Sequence, residues 1–202
     1  SDMVPFLDEA DAIVTKTGST NTILVHDGFL KGFNTDYFGA RQVLIGSPKK
    51  VLIYGAGSVT NSIICALKDN EVRYITILAR CSEKAREQAK KHAIESIASI
   101  ESLKKFPQKT FDLVINATPA SVDEGHELFD LLEYTNSVFD LVVSPEDTLW
   151  IQHAIRRNLP VIRGIEMSKY QLKKQFEIYT GQKVNIKEID HILYKFYYQK
   201  AG

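Results

Sequence analysis

The sequence predicts an α/β fold built on a doubly wound parallel sheet, with part of a smaller α/β domain beside it. From Pro48 onward, strand-sized apolar runs alternate with amphipathic helical stretches, the order found when crossover helices cover both faces of a parallel sheet. The runs are apolar throughout, as expected for strands buried on both sides. A glycine-rich turn, GAGSVT at 55–60, follows the first of them and opens a helix.

The segment before Pro48 has a different organisation. We expect a helix over residues 7–16 and then two strands in TILVHDGFLKGFN, joined by a turn at residues 26–28. A helix over residues 36–45 follows and ends at a glycine. One helix and one hairpin of this size are marginal without further strands, so this unit is predicted to be incomplete.

Five strands and five helices are predicted after Pro48. The strands lie in KKVLIYG, RYITILAR, FDLVINATP, SVFDLVVSP and LPVIRG. Helices are expected at 58–69, 83–92 and 148–157, and two more in IEMSKYQLKKQFEIYTG and NIKEIDHILYKFYYQK. The last helix carries an apolar stripe that predicts packing within the fold or across a dimer: Ile189, Ile192, Leu193, Phe196 and Tyr197.

Composition excludes several classes of function. The 25 Lys and Arg residues balance the 25 Asp and Glu residues, so no overall positive field favours nucleic acid. The longest apolar runs have the length of strands and are too short to cross a membrane. The five histidines lack the spacing of metal ligands, and two cysteines without a C-x-x-C pair favour a reducing, cytoplasmic location.

The turn GAGSVT has the features of a phosphate-binding loop in a Rossmann-like domain. Gly55 permits a tight turn, and Gly57 permits a pyrophosphate to approach the backbone amides at the start of a helix. Thr60 stands where the third glycine of this fingerprint is usual, so we expect the helix to sit slightly farther from the strand. The alternative is a Gly-x-Gly turn with a purely structural role.

The end of the second strand, LARCSEK, indicates which dinucleotide binds. NAD-binding domains usually carry a carboxylate here for the adenosine ribose, but this sequence offers Arg80 and Lys84 instead. A guanidinium and an ammonium suit a 2′-phosphate, so NADP is the predicted cofactor. Alternatively, the two cations only solvate the start of a helix, where the helix dipole disfavours them.

The stretch GFNTDYFGA places three polar residues, Asn34, Thr35 and Asp36, where a strand gives way to a helix. Thr35 or Asp36 is expected to cap that helix by accepting backbone N–H groups of its first turn. A cap alone accounts for the pattern. A site role for Asp36 needs support from the rest of the chain.

Seven segments, in order, together resemble the shikimate dehydrogenase family. GFNTDYFGA is similar to the family's G-[FY]-N-T-D-x-x-G signature, and GSTNTI to its G-A-V-N-T segment. VLIYGAGSV, LARCSEK and INATP resemble its nucleotide loop, its N-R-T-x-x-[RK] element and its I-N-[AC]-T strand end. DLVVSPEDTLWIQHA and GIEMSKYQ resemble D-x-x-Y-x-P-x-x-T and G-x-x-M-L-x-x-Q.

The resemblance implies an NADP-dependent oxidoreductase that interconverts shikimate and 3-dehydroshikimate in aromatic amino-acid biosynthesis. Asp36 is the implied catalytic carboxylate, and Asn21, Asp36 and Gln171 the substrate-binding residues, with Asp36 held rigid because it also caps its helix. The implied cofactor-binding residues are Gly55, Ala56, Gly57, Ser58, Val59, Ala79, Arg80, Lys84, Thr118, Leu141, Gly164 and Met167. The implied domains are a substrate-domain remnant at 1–46, an NADP-binding domain at 47–165, and C-terminal helices at 166–202 that pack back on the substrate domain.

The sequence departs from the family pattern at three places. The general acid/base lysine of a V-T-x-P-x-K motif and the S-x-S motif for the substrate carboxylate are expected before Ser1, and Val143 replaces a tyrosine. We therefore expect a fragment, monomeric or dimeric, that binds NADP but turns over poorly. A non-catalytic NADP-binding or regulatory module, and a quinate-type or amino-analogue dehydrogenase using NAD, are the alternatives; Arg80 argues against NAD.

Overall fold

The computed structural model describes residues 3–46, 48–118 and 123–198. Within these residues the chain forms a three-stranded sheet of order β1-β3-β2 and a six-stranded sheet of order β6-β5-β4-β7-β8-β9. All neighbours in the larger sheet are parallel. The α/β prediction with a doubly wound parallel sheet is confirmed.

The smaller sheet contains the predicted hairpin. β2 (Thr22–His26) and β3 (Phe29–Phe33) pair antiparallel. The turn between them has Asp27 at φ 49° and Gly28 at φ 80°, the pair of left-handed conformations that matches the twist of a two-residue hairpin.

The helix predicted at residues 7–16 is wrong in its first half. A 3-10 turn at Val4–Phe6 and strand β1 (Glu9–Ala10) precede a shorter helix, α1 (Ala12–Thr17). β1 pairs parallel to β3. The edge of β3 thus supplies hydrogen-bond partners for the backbone of β1, and no local sequence pattern predicts this pairing. Asp11 then begins α1 by accepting the Val14 N–H at 2.7 Å.

The larger sheet has the five predicted strands and one more. Its strands are β4 (Lys50–Tyr54), β5 (Tyr74–Leu78), β6 (Glu95–Ile97), β7 (Leu113–Asn116), β8 (Val138–Asp140) and β9 (Val161–Ile162). The helices are α2 (Thr35–Val43), α3 (Ser58–Asp69), α4 (Ser82–His92), α5 (Leu149–Arg156), α6 (Gly164–Thr180) and α7 (Ile186–Tyr198). Strand β6 was not predicted because two of its three residues are exposed and polar, which leaves no apolar run to detect.

The core consists of two main clusters on opposite faces of the sheet. Val51 and Ile53 of β4 pack with α3, whereas Leu52 and Tyr54 pack with Trp150 on the α5 side. Successive side chains of a strand point to opposite faces, so an uninterrupted apolar strand buries both. This arrangement leaves the carboxyl ends of the strands as the edge where a ligand can enter.

Helix α6 packs closely against α2. A Cβ added at Gly39 of α2 would lie 2.8 Å from both the Met167 carbonyl oxygen and the Gln171 Cγ of α6, so a side chain there would push the helices apart. The contact brings Gln171 beside the first turn of α2. The three-part domain division stays a prediction, although the packing of α6 on α2 is consistent with it.

The predicted stripe of α7 is only partly buried. Ile189 and Leu193 pack with Ile165 of α6, whereas Ile192 and Phe196 are more than half exposed; the side chain of Tyr197 lies outside what the structure describes. Packing within the fold thus accounts for part of the stripe, and a dimer contact stays a prediction. Among the described helices, none has the length and apolar character needed to cross a bilayer.

Candidate functional site

The turn between β4 and α3 has the geometry of a phosphate-binding loop. Gly55 has φ 125°, and a Cβ there would lie 2.8 Å from the Ala117 carbonyl oxygen, so only glycine fits. Gly57 is the N-cap of α3 and contributes no side-chain cap, and nothing lies within 4 Å of the position that a Cβ would take. The first amides of a 12-residue helix therefore face open space, which suits a phosphate.

Thr60, at the position of the missing third glycine, supports this loop. Its side chain is fully buried, and its hydroxyl donates to the Gly55 carbonyl oxygen at 3.2 Å. The threonine thus stabilises the turn that it follows. The expected wider spacing between strand and helix stays a prediction.

Two cavities adjoin the loop, and both are lined by Gly57 and Thr118. From the predicted role of the residues that line it, we call the one beside β5 the adenosine cavity. Its volume is about 460 Å³, and its lining is Tyr54, Gly55, Ala56, Gly57, Ala79, Arg80, Cys81, Lys84, Thr118 and His126. Six of the predicted cofactor residues that precede Thr118 therefore line this cavity together.

The adenosine cavity is cationic at the start of α4. Arg80 and Lys84 both line it, and the N-cap residue of α4, Cys81, makes no side-chain cap hydrogen bond. Helix amides, a guanidinium and an ammonium thus face the same space. This donor set fits a phosphate monoester better than a ribose hydroxyl.

The second cavity lies toward α6, and from the predicted role of its residues we call it the nicotinamide cavity. Its volume is about 470 Å³. It is lined by Gly57, Ser58, Val59, Ala117, Thr118, Leu141, Val142, Val143, Ser144, Gly164, Met167, Ser168 and Gln171. The predicted cofactor residues Leu141, Gly164 and Met167 lie here, next to the predicted substrate residue Gln171.

The three predicted substrate residues meet at one carboxylate oxygen. The Asn21 Nδ2 donates to Asp36 Oδ1 at 2.7 Å, and the Gln171 Nε2 donates to the same oxygen. Asn21 is itself oriented, because its Oδ1 accepts the Thr35 N–H at 2.8 Å and the Thr22 hydroxyl at 3.0 Å. Gln171 also lines the nicotinamide cavity, so this side chain connects the Asp36 carboxylate to that cavity.

Burial raises the pKa of Asp36 above its ordinary value of 3.8, and this effect outweighs the opposing hydrogen bonds from Asn21 and Gln171. A carboxyl group whose pKa is raised toward neutral pH is better suited to exchange protons with a substrate hydroxyl.

The predicted cap of α2 is wrong. Asn34, not Thr35 or Asp36, is the N-cap: its Oδ1 accepts the Tyr37 N–H at 3.2 Å. The Asn34 Nδ2 donates to Ser19 and Ser62 in a fully buried network. Asp36 therefore has its side chain free of the cap and directed to Asn21 and Gln171, so its rigidity comes from these two amides.

Sequence reasoning missed several residues at this edge of the sheet. Tyr54 and His126 line the adenosine cavity. Asp140, at the end of β8, is buried and accepts from Asn116 Nδ2, the Val142 N–H and the Thr148 hydroxyl. Burial raises its pKa. Its place at the end of a parallel strand is the signal that could have identified it.

Comparisons with known proteins show the family of the chain. Residues 38–124 match the family model described as shikimate / quinate 5-dehydrogenase. A shikimate dehydrogenase (NADP(+)) of Methanocaldococcus jannaschii is 33% identical, over 92% of this chain and 70% of that protein. The chain belongs to the shikimate dehydrogenase family. The resemblance carried by the seven segments is thereby confirmed, and with it membership of a family of oxidoreductases.

Other shikimate dehydrogenase relatives show similar coverage. A shikimate dehydrogenase-like protein of Haemophilus influenzae is 28% identical, over 89% of this chain and 68% of that protein. A solved shikimate dehydrogenase in complex with NADP+ is 28% identical, with a TM-score of 0.78, and the match covers 96% of this chain and 72% of that one.

Proposed function

We propose that the chain binds NADP(H) and acts in the NADP-dependent interconversion of shikimate and 3-dehydroshikimate. One observation carries the proposal: Gln171, which together with Asn21 donates to Asp36 Oδ1, also lines a cavity that includes the nucleotide loop residues Gly57 and Ser58. A polyol ring held by these three residues would face the cofactor's reactive ring.

The choice of NADP rests on the adenosine cavity. Arg80 and Lys84 line it beside the uncapped start of α4, so the 2′-phosphate has two cationic partners. Relatives named as NADP(+) enzymes and a solved relative in complex with NADP+ point the same way. The nucleotide loop, which no side chain fills at Gly57, holds the pyrophosphate.

The chemistry assigned to the chain's own residues concerns protons and orientation. When bound, NADP+ supplies the acceptor for a hydride that leaves the hydroxyl-bearing carbon of shikimate. The hydroxyl on that carbon must pass its proton to a base, the role that the resemblance gives to a lysine, while the carboxylate of Asp36 accepts a hydrogen bond from the substrate diol and orients it. The amides of Asn21 and Gln171 hold Asp36 Oδ1, so its orientation is fixed before the substrate arrives.

A second candidate is an NADP-binding or regulatory module without turnover. The 202 residues contain no V-T-x-P-x-K segment, so the lysine that the resemblance implies as general acid/base is not among them. Val143, which lines the nicotinamide cavity, offers no hydroxyl where the family has tyrosine. A chain of this kind binds the nucleotide and leaves the substrate unchanged.

Two measurements test the proposal. Fluorescence titration of the chain should show NADPH binding more tightly than NADH, and equal or weaker binding of NADPH would refute the cofactor assignment. The product of the complete reading frame should oxidise shikimate with NADP+, and quinate or NAD should serve less well. If that product binds NADPH without turnover, the NADP-binding or regulatory module is favoured. If it oxidises quinate in preference to shikimate, quinate is the substrate.

The same reasoning extends to partners and location. We propose a small-molecule substrate and no nucleic-acid partner, because positive and negative charges balance. A cytoplasmic location agrees with two free thiols, buried Cys65 and exposed Cys81. Sedimentation of the purified chain distinguishes the monomer from the homodimer.

A further inference from the structure

His126 is held at the wall of the adenosine cavity by the turn that it begins. It is the N-cap of the 3-10 segment Glu127–Glu133, and its Nδ1 accepts the Leu128 N–H at 3.1 Å. An Nδ1 that accepts this hydrogen bond carries no proton, so the neutral ring has its hydrogen on Nε2. The hydrogen bond thereby fixes His126 as a donor through Nε2.

The ring is also fixed from two other directions. It meets the Tyr54 ring edge-on, with centroids 6.2 Å apart and planes at 83°. The turn is anchored below it, because Leu128 is fully buried and its carbonyl oxygen accepts from Trp150 Nε1 at 3.1 Å. The cap hydrogen bond, the Tyr54 contact and the anchored turn together orient the His126 ring.

The carboxylate of the adjacent residue has another partner. Glu127 accepts a hydrogen bond from the Tyr54 hydroxyl, which directs that carboxylate to the tyrosine. Within the described residues no acceptor takes the His126 Nε2 proton. The ring nevertheless lines the same cavity as Arg80 and Lys84, so an acceptor on a bound ligand can reach it.

We propose that His126 is a cofactor-binding residue whose Nε2–H donates to an acceptor on the adenosine moiety. The acceptor is either a ring nitrogen of adenine or an oxygen of the 2′-phosphate. The inference rests on the proposed binding of NADP and adds a third polar contact to Arg80 and Lys84. Nothing in the segment around His126 marks it in the sequence, because the contact exists only after the β7 and β4 ends come together.

His126→Asn and His126→Ala separate binding from folding. Asparagine is a good N-cap and keeps an acceptor for the Leu128 N–H, but it is too short to carry the Nε2 donor. Alanine loses both. His26→Asn is the matched control, because His26 lies exposed at the end of β2 in the other sheet.

The experiment measures the dissociation constants of NADPH, ADP and 2′,5′-ADP for each variant. His126→Asn and His126→Ala should both weaken the binding of NADPH, whereas His26→Asn should leave it unchanged. An equal loss of about 3- to 10-fold for ADP and 2′,5′-ADP identifies a neutral hydrogen bond to adenine. A loss of about 10-fold or more for 2′,5′-ADP alone identifies a charge-assisted bond to the phosphate.

Three results would overturn the inference. If His126→Asn binds NADPH as tightly as the wild type and only His126→Ala is weakened, the residue acts solely as a cap. If both variants match the wild type, it has no role in binding. If the wild-type chain fails to bind NADPH, the proposed function fails and this inference falls with it.

Discussion

Replacing Asp36 with asparagine removes the charge of the candidate catalytic group while preserving its shape. The new Oδ1 can still accept from Asn21 Nδ2 and Gln171 Nε2, which both bind Oδ1 of the aspartate. Burial raises the pKa of Asp36 more than these hydrogen bonds lower it. The charged carboxylate is thus less favourable in the folded protein than in the unfolded chain, so the variant should be more stable than the wild type at neutral pH.

The pH dependence of this stability gain has a definite sign. A carboxyl group with a raised pKa in the folded state binds a proton more readily than in the unfolded chain, so stability is lost as pH rises through the folded pKa. The advantage of Asp36→Asn should be smallest below the ordinary value of 3.8 and grow to a plateau above the folded pKa. Each tenfold difference in proton affinity between the folded and unfolded states corresponds to about 1.4 kcal/mol, or roughly 3 to 6 °C in Tm for a chain of this length.

Denaturant unfolding of wild type and Asp36→Asn across pH 3.5 to 8, roughly the span of carboxyl titration, measures this difference. Asp130→Asn is the control, because Asp130 lies exposed in the segment after β7. In the product of the complete reading frame, Asp36→Asn should also lower kcat/KM for shikimate by about two to four orders of magnitude. A stability difference that stays flat or shrinks as pH rises would refute the reasoning about the buried charge.

Three further predictions concern the nucleotide loop, the cationic wall and the helix cap. Arg80→Ala should weaken the binding of NADPH by about 10- to 100-fold and leave the binding of NADH nearly unchanged. The control variant Arg73→Ala, at the other end of β5, should change the binding of neither nucleotide. Equal losses of affinity for both nucleotides in a titration would contradict the 2′-phosphate contact. Gly55→Ala should lower the free energy of unfolding by about 2 to 4 kcal/mol and abolish NADPH binding, because its Cβ would meet Ala117. The control variant Gly46→Ala, also at positive φ but in open space, should lower the free energy of unfolding by only about 1 kcal/mol. Equal losses for the two variants in denaturant unfolding would show that the contact between the Gly55 position and Ala117 is unimportant. Asn34→Ala should cost about 3 kcal/mol of stability, since it removes a cap and leaves buried partners unsatisfied. Asp11→Ala, which removes only the partly exposed cap of α1, should cost about 1 kcal/mol; a smaller loss for Asn34→Ala would contradict the buried network.

The elements that the sequence predicts well are those with a local cause. Strand β4, the turn at Gly55 and helix α3 follow from an apolar run, a glycine and a helical pattern in adjacent residues. Strands β1 and β6 escaped prediction because they are two and three residues long and pair with edges that form only in the fold. Their backbone hydrogen bonds, not their side chains, define them.

The candidate site divides in the same way. The family resemblance identified Asn21, Asp36 and Gln171, and the structure brings them to one oxygen through the close packing of α2 and α6. The choice of cap among three adjacent polar residues was not predictable, because Asn34 takes that role through contacts with Ser19 and Ser62 on other elements. Such contacts have no signal in the local sequence.

The most direct test of the account is a crystal structure of the protein with NADP+ and shikimate. We expect the diphosphate against the amides that follow Gly57, the nicotinamide in the cavity lined by Met167, and ring hydroxyls of shikimate within hydrogen-bonding distance of Asp36. A complex in which shikimate binds elsewhere, with the Asp36 carboxylate facing only solvent, would contradict it.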